Sequence, residues 1–125
     1  MILILTLSVL ADLDWKKEIP SALELAKIEH KTVMVFVEGK ACRWCKKMKY
    51  RILSDEKVEK RLAPYIVVKV MQEDKETMKD LPEIQGVPTI FFMDADQNVL
   101  QEVIGYFDVD DFISYIDSVE NRVKK

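Results

Sequence analysis

The sequence predicts an α/β sandwich in which a mixed four-stranded sheet is covered by helices on both faces. Three observations predict it. Segments of helical and extended periodicity alternate along the chain, two strand-length runs (Thr32–Val37 and Tyr65–Val70) are apolar on both faces, and the last two extended runs flank a five-residue polar turn. Strands apolar on both sides must be covered twice. Two strands joined through a long helical crossover run parallel, whereas a hairpin adds antiparallel pairs.

From Trp15 to His30 the positions Ile19, Leu23, Ala26 and Leu25, Ile28 recur at three- and four-residue spacing, which marks an amphipathic helix with Pro20 near its start and Lys31 at its end. Thr32–Val37 is the first buried strand, stopped by Gly39. A helix then begins at about Cys42, with Trp44, Met48 and Ile52 on one side and Arg43, Lys46, Lys47 and Lys49 largely on the other. Ser54-Asp55 restarts it, with Ser54 as N-cap, through Val58 and Leu62. Pro64 breaks that piece ahead of the strand Tyr65–Val70. Glu73–Ile84 reads as a polar connection with a short helix around Met78 and Leu81. Thr89–Met93, the turn Asp94–Asn98 and Val99–Ile104 make a hairpin. Asp108 caps a last helix with Phe112, Ile113, Ile116, Val119 and Val123 inward, ending on Lys124-Lys125.

At 125 residues and 49% hydrophobic content the chain suits one core and one domain. Its 19 Lys and Arg against 22 Asp and Glu give a net charge of -3 with no long run of one sign, which argues against a nucleic-acid partner. Two cysteines cannot supply the framework of a disulfide-rich scaffold. Residues 1–11 differ from the rest, because Ile2 to Leu10 carry no charge. Nine apolar residues are too few for a bilayer-spanning helix, which needs roughly 20, so no stable membrane insertion of the mature domain is expected. The stretch reads as an export signal, with Val9-Leu10-Ala11 ahead of the cleavage point, and the domain as residues 12–125. A first β-strand of the domain is the alternative.

The chemistry lies at Cys42-Arg43-Trp44-Cys45, directly after a buried strand and at the start of a helix. Two intervening residues bring both sulfurs onto one helical turn, within bridging reach. Cys42 sits where backbone N–H groups are unpaired and Lys40, Arg43, Lys46 and Lys47 add positive charge, so its thiolate is favoured. Cys45, one turn in, is expected to be more buried. Cys42 is then the attacking sulfur and Cys45 the resolving one. No metal is expected: the sole His, His30, lies on another helix, and no second cysteine pair exists to complete a four-ligand Cys and His site. A purely structural bridge is the other alternative, but one closing so short a loop removes little chain entropy. Lys46 and Lys47 read first as solvated charges, and His30 as a helix-end residue.

Taken with Val35-Phe36-Val37-Glu38, Gly86-Val87-Pro88-Thr89-Ile90-Phe91-Phe92 and Gly105-Tyr106, this motif resembles the thioredoxin fold, and more narrowly the thioredoxin-related proteins of the bacterial cell envelope, over about Trp15 to Val119. The resemblance implies a thioredoxin-like three-layer α/β/α sandwich, a cis Pro88 beside the cysteines, and substrate contacts from Trp44, Val87 and Pro88, with the Val87 backbone pairing to an extended substrate chain. It also implies a periplasmic or otherwise exported location, with a cytoplasmic one as the alternative. Two departures stand out. Typical thioredoxins carry a buried Asp six residues before the first cysteine, where this chain has Phe36, and Ala41 replaces the usual Trp. Glu38, four residues before Cys42, is the nearest carboxylate, so deprotonation of Cys45 falls either to Glu38, the candidate proton acceptor, or to water; a strand-end surface residue is the alternative reading of Glu38.

These features predict a thiol–disulfide oxidoreductase that exchanges disulfides with protein substrates, holds no cofactor, and is recycled by a redox partner protein. The competing class is a non-catalytic binding module on the same fold.

Overall fold

The computed structural model describes residues 13–124, so the apolar stretch 1–11 lies outside the described residues, whether read as signal or as strand. The first ordered contact comes earlier than periodicity suggests. Lys16 pairs in parallel with Val68, donating from its N–H to Val67 and accepting from Lys69 N–H. That pairing keeps Lys16 out of the helix, and the first helix, α1, starts only at Ile19 and runs to Glu29, with Pro20 in its opening turn, where a missing N–H costs nothing. His30 closes it in the left-handed region at φ 56°. The buried stripe is Ile19, Ala22 and Ala26; Ile28, expected inward, is 70% exposed.

Strand β1 (Val33–Glu38) is buried at every residue. It is followed by α2 (Arg43–Lys47), which passes without a break into a π-helical turn, Met48–Ile52. The inward row is Cys45, Met48 and Ile52, not Trp44, Met48 and Ile52: Trp44 is 51% exposed. Ser54 is not the next N-cap. Its hydroxyl bonds back to the Tyr50 carbonyl at 2.6 Å and closes the π turn, while the Asp55 carboxylate accepts from Lys57 and Val58 N–H at 2.9 and 3.2 Å and caps α3 (Glu56–Leu62).

Strand β2 (Ile66–Met71), a four-residue helix α4 (Lys75–Met78), β3 (Thr89–Met93), β4 (Val99–Ile104) and α5 (Val109–Val123) complete the order. The sheet runs β2-β1-β3-β4, with β1 parallel to β2 and antiparallel to β3, and β3 antiparallel to β4. This is the mixed four-stranded sheet expected from the crossover and the hairpin. Asp94 organises the hairpin turn: its carboxylate accepts from Asp96 and Asn98 N–H and from the Asn98 side chain, each at 2.9 Å. Asp108 caps α5 by accepting from Asp111 N–H at 2.9 Å. Val123, placed inward by periodicity, is 55% exposed at the last residue of α5.

Two apolar clusters, one on each face, make the three layers. Met34, Phe36 and Phe92 pack with Cys45, Met48, Leu62, Phe112 and Ile116 beneath α2, α3 and α5. Val33, Val35, Val37, Phe91 and Met93 pack with Ile19, Ala22 and Ala26 of α1. Period-two alternation along β1 sends odd and even residues to opposite helical layers, which is why the strand reads as one apolar run. Each fully buried Val, Leu, Ile, Phe or Met among them contributes roughly 1.5–3 kcal/mol. Among the described residues no helix is long and apolar enough to cross a membrane.

Candidate active site

The site forms where the C-terminal end of β1 meets the start of α2. Cys42 is the N-cap of α2, with extended backbone, and its sulfur accepts from Cys45 N–H at 3.1 Å. The two cysteines are joined in a disulfide with their Cα atoms 5.2 Å apart. Cys42 is half-buried, whereas Cys45 is wholly buried against Phe36 and Met48. The capping sulfur is thus the one a partner can reach. Residues Lys40, Arg43 and Lys46 around it are exposed, and Lys47 sets its ammonium 4.3 Å above the Trp44 ring.

The Val87–Pro88 peptide bond is cis, and both residues share a groove with Trp44, which lies between the two cysteines in the sequence. The loop is held from both sides: Thr89 Oγ1 donates to the Gly86 carbonyl at 2.6 Å, and Gly105 N–H donates to the Pro88 carbonyl at 2.9 Å. Gly105 has φ 92°, a conformation that side-chain-bearing residues rarely adopt. Gly39 matters for space instead. A Cβ there would stand 2.7 Å from Gln72 Nε2 and 3.3 Å from Val87 Cγ2, so the strand end and the Pro88 loop approach closely because position 39 has no side chain. Trp44, Val87, Pro88, Gly105 and Tyr106 line an open groove of about 330 Å³, with the Trp44 and Tyr106 rings 5.4 Å apart. A larger cleft of about 460 Å³, around His30, Asp94 and Arg122, is lined by none of Trp44, Val87 and Pro88 and by neither cysteine.

A model of the thioredoxin-like domain matches residues 19–120. The chain belongs to this thioredoxin-like family. Among solved structures it is similar to a thioredoxin from Thermus thermophilus, at 27% identity and TM-score 0.71, over 87% of this chain and 88% of that one. A DsbH oxidoreductase shares the fold at 24% identity and TM-score 0.69, covering 87% of this chain and 85% of its own. The oxidised C-terminal domain of DsbD from Neisseria meningitidis does so at 18% and 0.64, over 78% and 89%. No curated protein matches the sequence.

Within this thioredoxin-like domain the sequence-predicted residues separate into two groups. Cys42 and Cys45 meet in the disulfide, and Trp44, Val87 and Pro88 meet in the groove beside it. Glu38 stands apart from the groove, at the end of the β1 face whose Met34 and Phe36 pack with Cys45. It is not a surface residue: it is 6% exposed, and its Oε1 lies 2.8 Å from Lys49 Nζ. Lys69 borders the same pair. Burial first, and the Lys49 ammonium second, hold Lys69 below the ordinary lysine value, with Glu38 pulling the other way, and its ammonium sits 4.8 Å above the Trp15 ring. Lys49 was the missed residue. Its signal was available, because it lies four positions after Cys45, on the buried row rather than the solvated one. Among the described residues no cluster of three or more His, Cys, Asp or Glu forms a metal site.

Proposed function

We propose that this domain is a thiol–disulfide oxidoreductase acting on protein disulfides. The observation that carries the reading is the asymmetry of the cysteine pair: a reachable helix-capping sulfur joined to a buried one, beside an open groove. In the reduced protein the Cys42 thiolate attacks a substrate disulfide, forming a Cys42–substrate bond and expelling the other substrate sulfur as a thiolate, which takes a proton from water. Cys45 loses its proton to the Glu38 carboxylate and attacks Cys42, which closes the Cys42–Cys45 bridge and expels the second substrate sulfur as a thiolate; that thiolate takes a proton from water, and Glu38 returns its own proton to solvent. Two electrons pass from protein to substrate, and a redox partner protein returns them. Without such a donor the same steps run backwards and the protein oxidises its substrates.

Trp44 and Pro88 supply apolar contact, and the Val87 backbone pairs with the substrate chain. Among the described residues no hydrogen bond engages the Val87 N–H or C=O, which favours that role. We infer an exported, periplasmic setting from the uncharged stretch 2–10. N-terminal sequencing of the native protein tests it: a mature start near Asp12 supports export, and retention of Met1 favours the cytoplasm.

Reduction of a small model disulfide by the pre-reduced protein and by Cys42→Ser tests the activity. The wild type should turn the substrate over and the variant should not. Equal behaviour would make the domain a binding module.

A further inference from the structure

We propose that the face surrounding Cys42 is a docking surface for an acidic, extended polypeptide segment; the proposal rests on the oxidoreductase reading and names its substrate class. Between Gly39 and Ser54 lie six of the chain's 19 Lys and Arg and none of its 22 Asp and Glu. The chain as a whole carries a charge of -3, so the positive segment is a local reversal of the molecule's own field. Apolar residues interrupt the cations, so no run of like charge announces them. The helix gathers them instead: Arg43, Lys46 and Lys47 are three and four residues apart on α2, and Lys40 precedes them at the strand end.

What sets these cations apart is the combination of clustering around the start of one helix, no acidic residue among them in the sequence, and no carboxylate partner among the described residues. Lys49 is engaged by Glu38 and Arg61 by Asp117 and Glu120, and Lys16, Lys27, Lys31, Lys60 and Lys79 each meet a carboxylate. Lys40, Arg43, Lys46 and Lys47 form no ion pair among the described residues. At this edge the Glu73 carboxylate accepts from the Lys40 backbone N–H at 3.2 Å rather than pairing with a side-chain cation. The unpaired cations border the attacking sulfur, and Lys47 extends them over Trp44 to the groove. An approaching chain that lays its backbone along Val87 and its cysteine on Cys42 therefore passes four positive charges that no carboxylate pairs among the described residues. Carboxylates flanking that cysteine are attracted and Lys or Arg are repelled, which raises the encounter rate for the first and lowers it for the second.

The experiment uses the full chain, pre-reduced, and three peptides alike except at the flanks. Each carries one cysteine as a disulfide with the same neutral small thiol, flanked by Asp and Glu, by Ser and Gln, or by Lys and Arg. The rate of mixed-disulfide formation should be at least about tenfold higher for the acidic than for the basic peptide at low ionic strength, with the neutral peptide between, and the ratio should shrink towards one as salt shortens the screening length to about 3 Å at 1 M. In Lys40→Glu/Lys46→Glu the preference should fall several-fold or reverse. Any change in the Cys42 thiolate fraction cancels in this ratio, because both peptides meet the same sulfur. Equal rates, or a preference that salt leaves untouched, would overturn the docking surface. So would a single-stranded oligonucleotide that inhibits as well as an uncoupled acidic peptide of equal charge. A small neutral disulfide serves as the separate control: if it is not reduced, the oxidoreductase reading itself fails.

Discussion

Lys49 Nζ lies 2.8 Å from Glu38 Oε1, and this ion pair ties the helix that carries both cysteines to the end of the central strand. Removing one partner leaves the other charge in a poorly solvated site. Lys49→Met should destabilise the protein by about 3 kcal/mol, the low end of the range for a buried pair, since Lys49 is still 26% exposed. Glu38→Gln/Lys49→Met should recover a large part of that loss, because neither charge is then stranded. Urea unfolding of the single and double variants checks it; a double variant as unstable as Lys49→Met would assign the loss to packing.

The same carboxylate has a kinetic signature. If Glu38 takes the Cys45 proton, Glu38→Gln should slow release of a trapped substrate at pH 7 by about 100-fold, the lower bound for a general base. The first step, attack by Cys42, should change little. Raising the pH should narrow the gap as Cys45 ionises without help. Stopped-flow measurement of the two steps separates this from a structural role, which would slow both alike and leave no pH signature.

The layers, the parallel and hairpin pairings and the cysteine pair were legible because they follow from periodicity and spacing that a local window contains, whereas the order β2-β1-β3-β4 rests on the non-local pairing of β1 with β3. Val33–Val37 announces a doubly covered strand by having no polar residue, and Asp108 and the Asp94–Asn98 turn announce their elements by side-chain chemistry. What was not legible depended on contacts between distant segments or on one-residue phase. Lys16 joins the sheet through Val67 and Lys69, about fifty positions away, so periodicity alone places the start of α1 at Trp15 and the structure places it at Ile19. The π turn at Met48–Ile52 and the inward Cys45 shift the buried row off Trp44. Glu38 could be named as the nearest carboxylate, but its burial and its partner required the fold.

Cys42 caps α2 and is half-buried, while Cys45 is wholly buried, so the order of attack has a direct consequence. Cys45→Ser should accumulate mixed disulfides with substrate proteins, because nothing displaces the partner from Cys42. Cys42→Ser should accumulate none, since the remaining sulfur cannot be reached. Non-reducing electrophoresis followed by reduction reads both. Equal trapping, or trapping only without Cys42, would reverse the roles.

Tyr65 gives the fold an alkaline limit. Its ring meets Phe92 edge-on at 5.8 Å, and burial first, then the Glu120 carboxylate, push its phenol up to about 12, with the Arg61 guanidinium opposing. In the unfolded chain a tyrosine ionises near about 10. The folded state therefore keeps a proton that the unfolded state has begun to lose. The contribution to stability is complete below about pH 10 and is lost as pH rises through the folded value of about 12. Because the phenol is only half-buried, solvent screening keeps the effect small, and its slope with pH is the readout. Tyr65→Phe keeps the ring against Phe92 and removes the proton. The difference in unfolding free energy between wild type and Tyr65→Phe should be flat from pH 7 to 9 and shift against the wild type between about pH 10 and 12, whatever the lysines contribute to both. A difference that stays constant across that interval would show that the phenol titrates alike in both states.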